Sequence, residues 1–426
     1  MLAGVNIDAR IQLRPVSIDD VVAALPADAA LVQYVKYRPF DAYAVGHSKH
    51  FLPARYAAFV LRPRAEPVWV ELDAADTIEK AVTNWRSALI SPSSTTVQRE
   101  GRIVAELLIK LVASETAGAQ RLYIVPDDVL NLVPFGALPA AGGRYLLDDV
   151  GVSYLASSRD VLKFGSGPAA REPALIVAAP DFGPRRSATG RIGSGFNFTP
   201  LLGTAREGDS LARLIPNSRL AKGSAATGSL VRSVHGPVAL HLATHAFFVG
   251  PRQASAPKLP AESRGLSLVD RIALDSSPLL RAGIALANAN AGKVSAGQED
   301  GVLTALEASS LDLHGTRLVV LSACETGLGE VRAGDGIHGF RRALAIAGAE
   351  TQVLTLWKIS DVETAQLMTE FYQGLLKGSG REAALRQAQL SMLHRPGRGH
   401  PFYWAPFVLA GATSPMTFDV NETLEK

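Results

Sequence analysis

Short apolar runs alternate along the chain with longer stretches whose apolar residues recur every three or four positions. The runs are Leu31–Tyr37, Tyr56–Leu61, Val68–Leu72, Leu122–Val125, Ala174–Ala179, Val238–Ala243, Arg317–Ser322 and Thr351–Leu356. Near-continuous Val, Leu and Ile is the pattern of strands covered on both faces, the habit of parallel sheets. The amphipathic stretches Thr77–Leu89, Glu100–Ala113, Gly203–Leu214, Gly336–Ala347, Asp361–Leu376 and Arg381–Leu393 read as helices. Strand and helix in alternation predict an α/β fold with a mostly parallel sheet.

The periodicity breaks at Gly165-Ser-Gly-Pro-Ala-Ala-Arg-Glu-Pro, which predicts a boundary near residue 170. A first α/β block then covers 1–170, a second covers 171–416, and 417–426 form a tail. Residues 183–200 and 249–265 are long, irregular and polar, as binding loops or plain surface insertions are.

Composition narrows the function classes. The chain has 426 residues, 47% hydrophobic and 19% charged, with a formal net charge of +3. That is enough apolar material for a sizeable core, and too little charge for a disordered chain. No strong basic field points to a nucleic-acid partner. No uninterrupted apolar run approaches the ~18 residues of a membrane span, and the first residues lack the apolar core of a signal peptide. With one cysteine there is no intrachain disulfide, so a soluble, cytoplasmic protein is expected.

That cysteine, Cys324, follows Leu318-Val-Val-Leu-Ser-Ala and precedes Glu-Thr-Gly-Leu-Gly-Glu. The C-terminal edge of a parallel strand is where α/β proteins place their sites, and Gly327 and Gly329 permit close backbone approach to a ligand. Alone, a single cysteine is as well explained as a small buried hydrophobe. His245 changes the balance, because it also ends an apolar run, Val238-Ala-Leu-His-Leu-Ala-Thr-His. If the two strands are neighbours, His245 and Cys324 meet at one crevice. Imidazole could then take the thiol proton and return it to a leaving amine. Backbone N–H groups at the strand ends are candidates to hold an oxyanion. His241 and His245 form H-x-x-x-H, yet the Glu of a zinc-binding H-E-x-x-H helix is missing and the context is a strand. No metal site is predicted, and His241 reads as a buried, hydrogen-bonded support.

These residues belong to a longer ordered set: Tyr123–Leu138, Ala178–Phe182, Leu240–Phe248, Asp300–Ala305, Leu318–Glu330, Gly334–Ala343, Ala349–Asp361, Ala384–Gln389 and Pro401–Gly411. Over roughly residues 90–412 the set resembles the CHAT domain, a family of caspase-like peptidases related to caspases, separase and gingipains. The resemblance implies a three-layer α/β/α sandwich with an inactive caspase-like half ahead of the active one. It also implies a cysteine endopeptidase in which Cys324 is the nucleophile and His245 the general base and acid. The main-chain N–H groups of Ala246 and Cys324 would hold the oxyanion. Relatives often carry Gly after the catalytic His, where this chain has Ala246. An acidic loop in separase-like relatives receives a basic P1 side chain. That makes Asp361 and Glu363 pocket candidates, with Asp335 a second acidic site and Trp357 a pocket wall. Each also has a structural reading: Asp361 as the cap of a helix starting near Val362, Asp335 as a turn residue, Trp357 as core. The chemistry requires no metal or cofactor. Expected partners are a protein or peptide substrate and a regulatory sensor protein. Arg252, Lys258 and Arg264 make 249–265 a candidate for self-cleavage. The competing reading is a catalytically silent scaffold or binding module; a third is chemistry on a small molecule.

Overall fold

The computed structural model describes residues 15–44, 50–184, 197–248, 278–291, 301–325, 333–357 and 360–420. The side chains of 278, 281, 324, 325 and 333–338 also lie outside the description, as do the expected features Gly327, Gly329, Arg252, Lys258 and Arg264.

In chain order the strands are β1 (Ala29–Tyr37), β2 (Arg55–Leu61), β3 (Val68–Ala74), β4 (Arg121–Val125), β5 (Gly151–Tyr154), β6 (Leu175–Pro180), β7 (Arg219–Gly223), β8 (Ala239–Phe248), β9 (Ala282–Ala285), β10 (Val302–Thr304), β11 (Leu318–Glu325), β12 (Thr351–Thr355) and β13 (Phe407–Gly411). The long helices are α1 (Ala75–Leu89), α2 (Val97–Leu108), α3 (Leu202–Leu214), α4 (Ala333–Ile346), α5 (Asp361–Leu376) and α6 (Arg381–Leu393). The fold is mixed α/β, with mostly parallel strands flanked by helices, and it divides into two compact units. One is Met1–Gly167 with Gly380–Ser414; the other is Pro168–Ser379 with Pro415–Lys426.

In the first unit the strand order is β13-β5-β4-β1-β2-β3. Strands β13, β5, β4 and β1 are mutually parallel, while β1–β2 and β2–β3 are antiparallel. The apolar runs of β2 and β3 therefore overstate their parallel character. In β3, exposed Trp69, Glu71 and Asp73 alternate with more buried neighbours, which leaves one face wet as antiparallel strands allow. Helix α1 buries Ile78, Val82, Trp85 and Leu89, one stripe at helical spacing. Gly101 of α2 lets the helices close, since a Cβ there would fall 2.8 Å from Trp85 Nε1.

The compact units do not follow chain order, because Gly380–Ser414 belongs with Met1–Gly167. Ala410 of β13 pairs with Tyr154 of β5, and Ser153 Oγ donates to Gly411 O at 2.7 Å. Arg386 of α6 donates to Asp148 O at 2.9 Å, and Gln389 bonds the carbonyls of Trp404 and Phe407. Hydrogen bonds between distant residues override proximity in sequence.

In the second unit, β7, β6, β8, β11 and β12 run parallel in that order. Strand β8 is long enough to serve two neighbours on one edge. Leu240–Ala243 pair with β6, and Ala246–Phe248 pair antiparallel with β9, beyond which lies β10. Its other edge is taken by β11 from Ala239 to Ala246. Helix α3 packs close to β6, where a Cβ on Gly208 would lie 2.7 Å from Ala178 Cβ.

Candidate active site

Strands β8 and β11 are adjacent, parallel and in register, with Cys324 paired with His245 and Glu325 with Ala246. Neighbouring strands are about 4.8 Å apart, so the two backbones bring Cys324 and His245 to one end of the sheet. The strands meet because both are mostly apolar runs that can be buried on both faces; Leu240, Leu242, Val319 and Val320 are almost wholly inaccessible.

The backbone also separates the two expected oxyanion donors. In a parallel ladder, backbone groups face alternate edges. Val238 N donates to Glu172 O and Leu240 pairs with Leu175, so even-numbered residues of β8 face the edge that β6 and β9 share. Glu350 N donates to Thr316 O, so even-numbered residues of β11 face β12. Ala246 N–H is directed away from β11, to the edge where Ala246 pairs with Ile284 of β9. Cys324 N–H is directed to the opposite edge of β11, where pairing with β12 runs from Val319 to Leu321 and stops short of it.

The His245 side chain is 4% exposed. The rings of Phe182 and Phe198 lie 5.2 and 5.6 Å from its ring, centroid to centroid. Its Nε2 is 2.8 Å from the carbonyl oxygen of Thr199. A carbonyl only accepts, so Nε2 carries a proton and donates it, and the neutral ring has its lone pair at Nδ1. Thr199, Phe182 and Phe198 were not predicted from the sequence. Phe182 closes the motif Ala178–Phe182, which was one available signal; a contribution made by a main-chain carbonyl leaves none.

Four residues earlier on β8, His241 is buried in a polar cluster. His241 and Glu207 of α3 are each 1% exposed, with Nε2 and Oε1 3.0 Å apart. Tyr372 OH of α5 lies 3.2 Å from His241 Nδ1. Burial, reinforced by the charge of Glu207, holds the Tyr372 phenol far above its ordinary pKa, so it stays protonated and donates. Nε2–H donates to Glu207, and Nδ1 accepts from Tyr372. The H-x-x-x-H spacing thus serves two separate hydrogen-bond networks.

The acidic candidates are distributed differently. Asp361 is the first residue of α5, whose N-cap is Ser360, so it is not the cap of that helix. The Asp361 Oδ2 atom instead accepts from Gly203 N at 2.9 Å, capping the N-terminus of α3. Glu363 and Trp357 are buried, at 6% and 5% exposure. Asp335 lies in the first turn of α4, where a turn residue was expected, and its side chain lies outside the described residues. Among the described residues no helix is long and apolar enough to cross a membrane.

The CHAT domain family model matches residues 98–412, and the chain belongs to that family. Over 111 residues it is 33% identical to tetratricopeptide repeat protein 28 of Mus musculus and 32% identical to that of Homo sapiens. The matched stretch is 26% of this chain and spans only 4% of the length of each of those proteins. Among solved structures, the Saccharomyces cerevisiae separase–securin complex is similar with a TM-score of 0.49 and 7% identity, covering 93% of this chain and 31% of that one. The Arg-specific cysteine proteinase gingipain R is similar with a TM-score of 0.39 and 9% identity, covering 80% and 75%.

Proposed function

We propose that the chain is a cysteine endopeptidase that cleaves protein or peptide substrates after a basic residue. The observation that carries this reading is the shared register of His245 and Cys324, in a chain that belongs to the CHAT family. With Nε2–H donated to Thr199, Nδ1 is the ring atom that accepts the Cys324 thiol proton in this reading. The thiolate attacks the scissile carbonyl carbon, and the carbonyl π electrons move to oxygen. Collapse of that oxyanion expels the amine, which takes the proton from His245, and a thioester remains. Water then attacks the thioester, His245 accepts its proton, and the acid product leaves as the thiol re-forms. Cys324 N–H is the favoured oxyanion donor, since Ala246 N–H is directed away from β11, to the edge of β8 that pairs with β9.

A basic P1 side chain calls for a carboxylate. Asp361 is bonded to Gly203 and Glu363 is buried, so the role is assigned to Asp335, with Trp357 as a supporting wall. A regulatory sensor protein as partner, an inactive caspase-like first unit and self-cleavage within 249–265 belong to the same reading. The test is labelling by an electrophilic peptide with Arg at P1. Wild type should be modified on Cys324 and Cys324→Ala should not. Equal labelling of the two, or cellular function restored by Cys324→Ala, would favour the silent scaffold.

A further inference from the structure

The Thr199 carbonyl orients His245, and one side chain from another part of the chain holds the backbone beside it. Asn290 lies after β9 in the turn Ala287–Asn290 and is 2% exposed. Its Oδ1 accepts from Phe198 N at 2.8 Å, and its Nδ2 donates to Phe198 O at 2.9 Å. The same Nδ2 lies 3.2 Å from Gly183 O, a second acceptor. The Asn290 main-chain N–H donates to Phe182 O at 2.8 Å, and Asn288 N donates to Asp181 O at 2.9 Å. The amide therefore behaves as a strand segment would, bonding both backbone groups of Phe198. The turn presents it because Asn288 takes a left-handed conformation (φ 70°) that Asn tolerates better than most residues.

Two of the residues bound by Asn290 line His245. Phe182 and Phe198 pack against the imidazole, and the residue after Phe198 supplies the carbonyl for Nε2. We infer that Asn290 is a positioning residue for His245. Its amide fixes the Phe198 backbone so that the Thr199 carbonyl meets Nε2–H, which reserves the Nδ1 lone pair for the thiol proton. This rests on reading His245 as the proton acceptor. Asparagine is required chemically, since two donors and one acceptor are in use at once and only a side-chain amide offers both in that geometry. Aspartate would turn an oxygen toward two carbonyl oxygens.

The experiment is ¹⁵N spectroscopy of the His245 ring at a pH where imidazole is neutral, on wild type, Asn290→Ala and Asn290→Asp. In wild type the Nε2–H tautomer should dominate, with widely separated ring ¹⁵N shifts. In folded variants the two shifts should converge as the tautomers mix, and labelling by the Arg-P1 electrophile should slow. Wild type found with the proton on Nδ1 overturns the inference, whatever the variants do. Folded variants that keep the wild-type ring shifts overturn it as well. A protein that no peptide electrophile labels, yet whose ring shifts converge in Asn290→Ala, would sink the peptidase reading and leave this one standing.

Discussion

His245 of β8 and Cys324 of β11 are Cα partners on adjacent parallel strands. If they form a catalytic pair, their substitutions differ in degree. Cys324→Ala should abolish covalent labelling by the Arg-P1 peptide. His245→Ala should keep a reactive sulfur but slow labelling by roughly 10²–10⁴-fold, the usual contribution of a positioned base. Intact mass against time measures both, and undiminished labelling of His245→Ala would remove it from the mechanism.

Much of this pair was legible in the sequence. Leu240–Ala243 and Leu318–Ser322 are apolar runs that make sense only as doubly covered strands, so their ends were visible as sheet edges. Strand adjacency was a condition that the fold then met. Strands β5, β9 and β10 went unread because, at three or four residues with Gly, Ser or Thr among them, they lack the unbroken apolar run that marks the short β4. Strand β7, Arg-Leu-Ala-Lys-Gly, is an edge strand with polar positions. Thr199 and Asn290 could not be read at all. One acts through a carbonyl that every residue possesses, and the other through bonds to residues about ninety positions away.

The cluster beneath His245 should show strong non-additivity. Glu207→Leu leaves His241 Nε2–H without its acceptor, at a cost of about 1–3 kcal/mol. Tyr372→Phe leaves Nδ1 without its donor, at a cost of about 1 kcal/mol. Replacing Glu207, His241 and Tyr372 together with Leu, Leu and Phe removes every stranded polar group. Its stability should return to within about 1 kcal/mol of wild type, since apolar replacement of a whole buried polar set is often neutral. Urea unfolding with an unchanged m-value is the measurement. A triple variant as unstable as the sum of the single substitutions would contradict this.

Asp361 and Asp335 should separate stability from specificity. Asp361→Ala removes the acceptor of Gly203 N–H at the start of α3 and should cost about 0.5–2 kcal/mol. Preference for Arg over an uncharged P1 residue should survive that change. Asp335→Asn should do the reverse, leaving the unfolding midpoint near wild type and reducing the preference for Arg. A P1 scan beside thermal melts of both variants decides it. Preference lost in Asp361→Ala alone would move the pocket to α5.

The first unit carries its own pH signature in Glu382 of α6. Burial raises the carboxyl above its ordinary value of 4.5, and nearby Arg386 and Arg121 oppose the rise without cancelling it. The folded state therefore holds the proton more tightly than the unfolded chain does. Between the two pKa values the native state binds more protons, so stability falls as pH rises. The contribution is fully present below the unfolded value and is lost as pH climbs through the raised folded value. Glu382→Gln keeps the shape and an acceptor oxygen but cannot ionise. Urea midpoints measured across that window should therefore decline with pH more steeply in wild type than in Glu382→Gln. The two should converge at the acidic end, with the variant the more stable at neutral pH. Parallel pH curves would mean that Glu382 titrates alike in both states, and that burial is not felt by its charge.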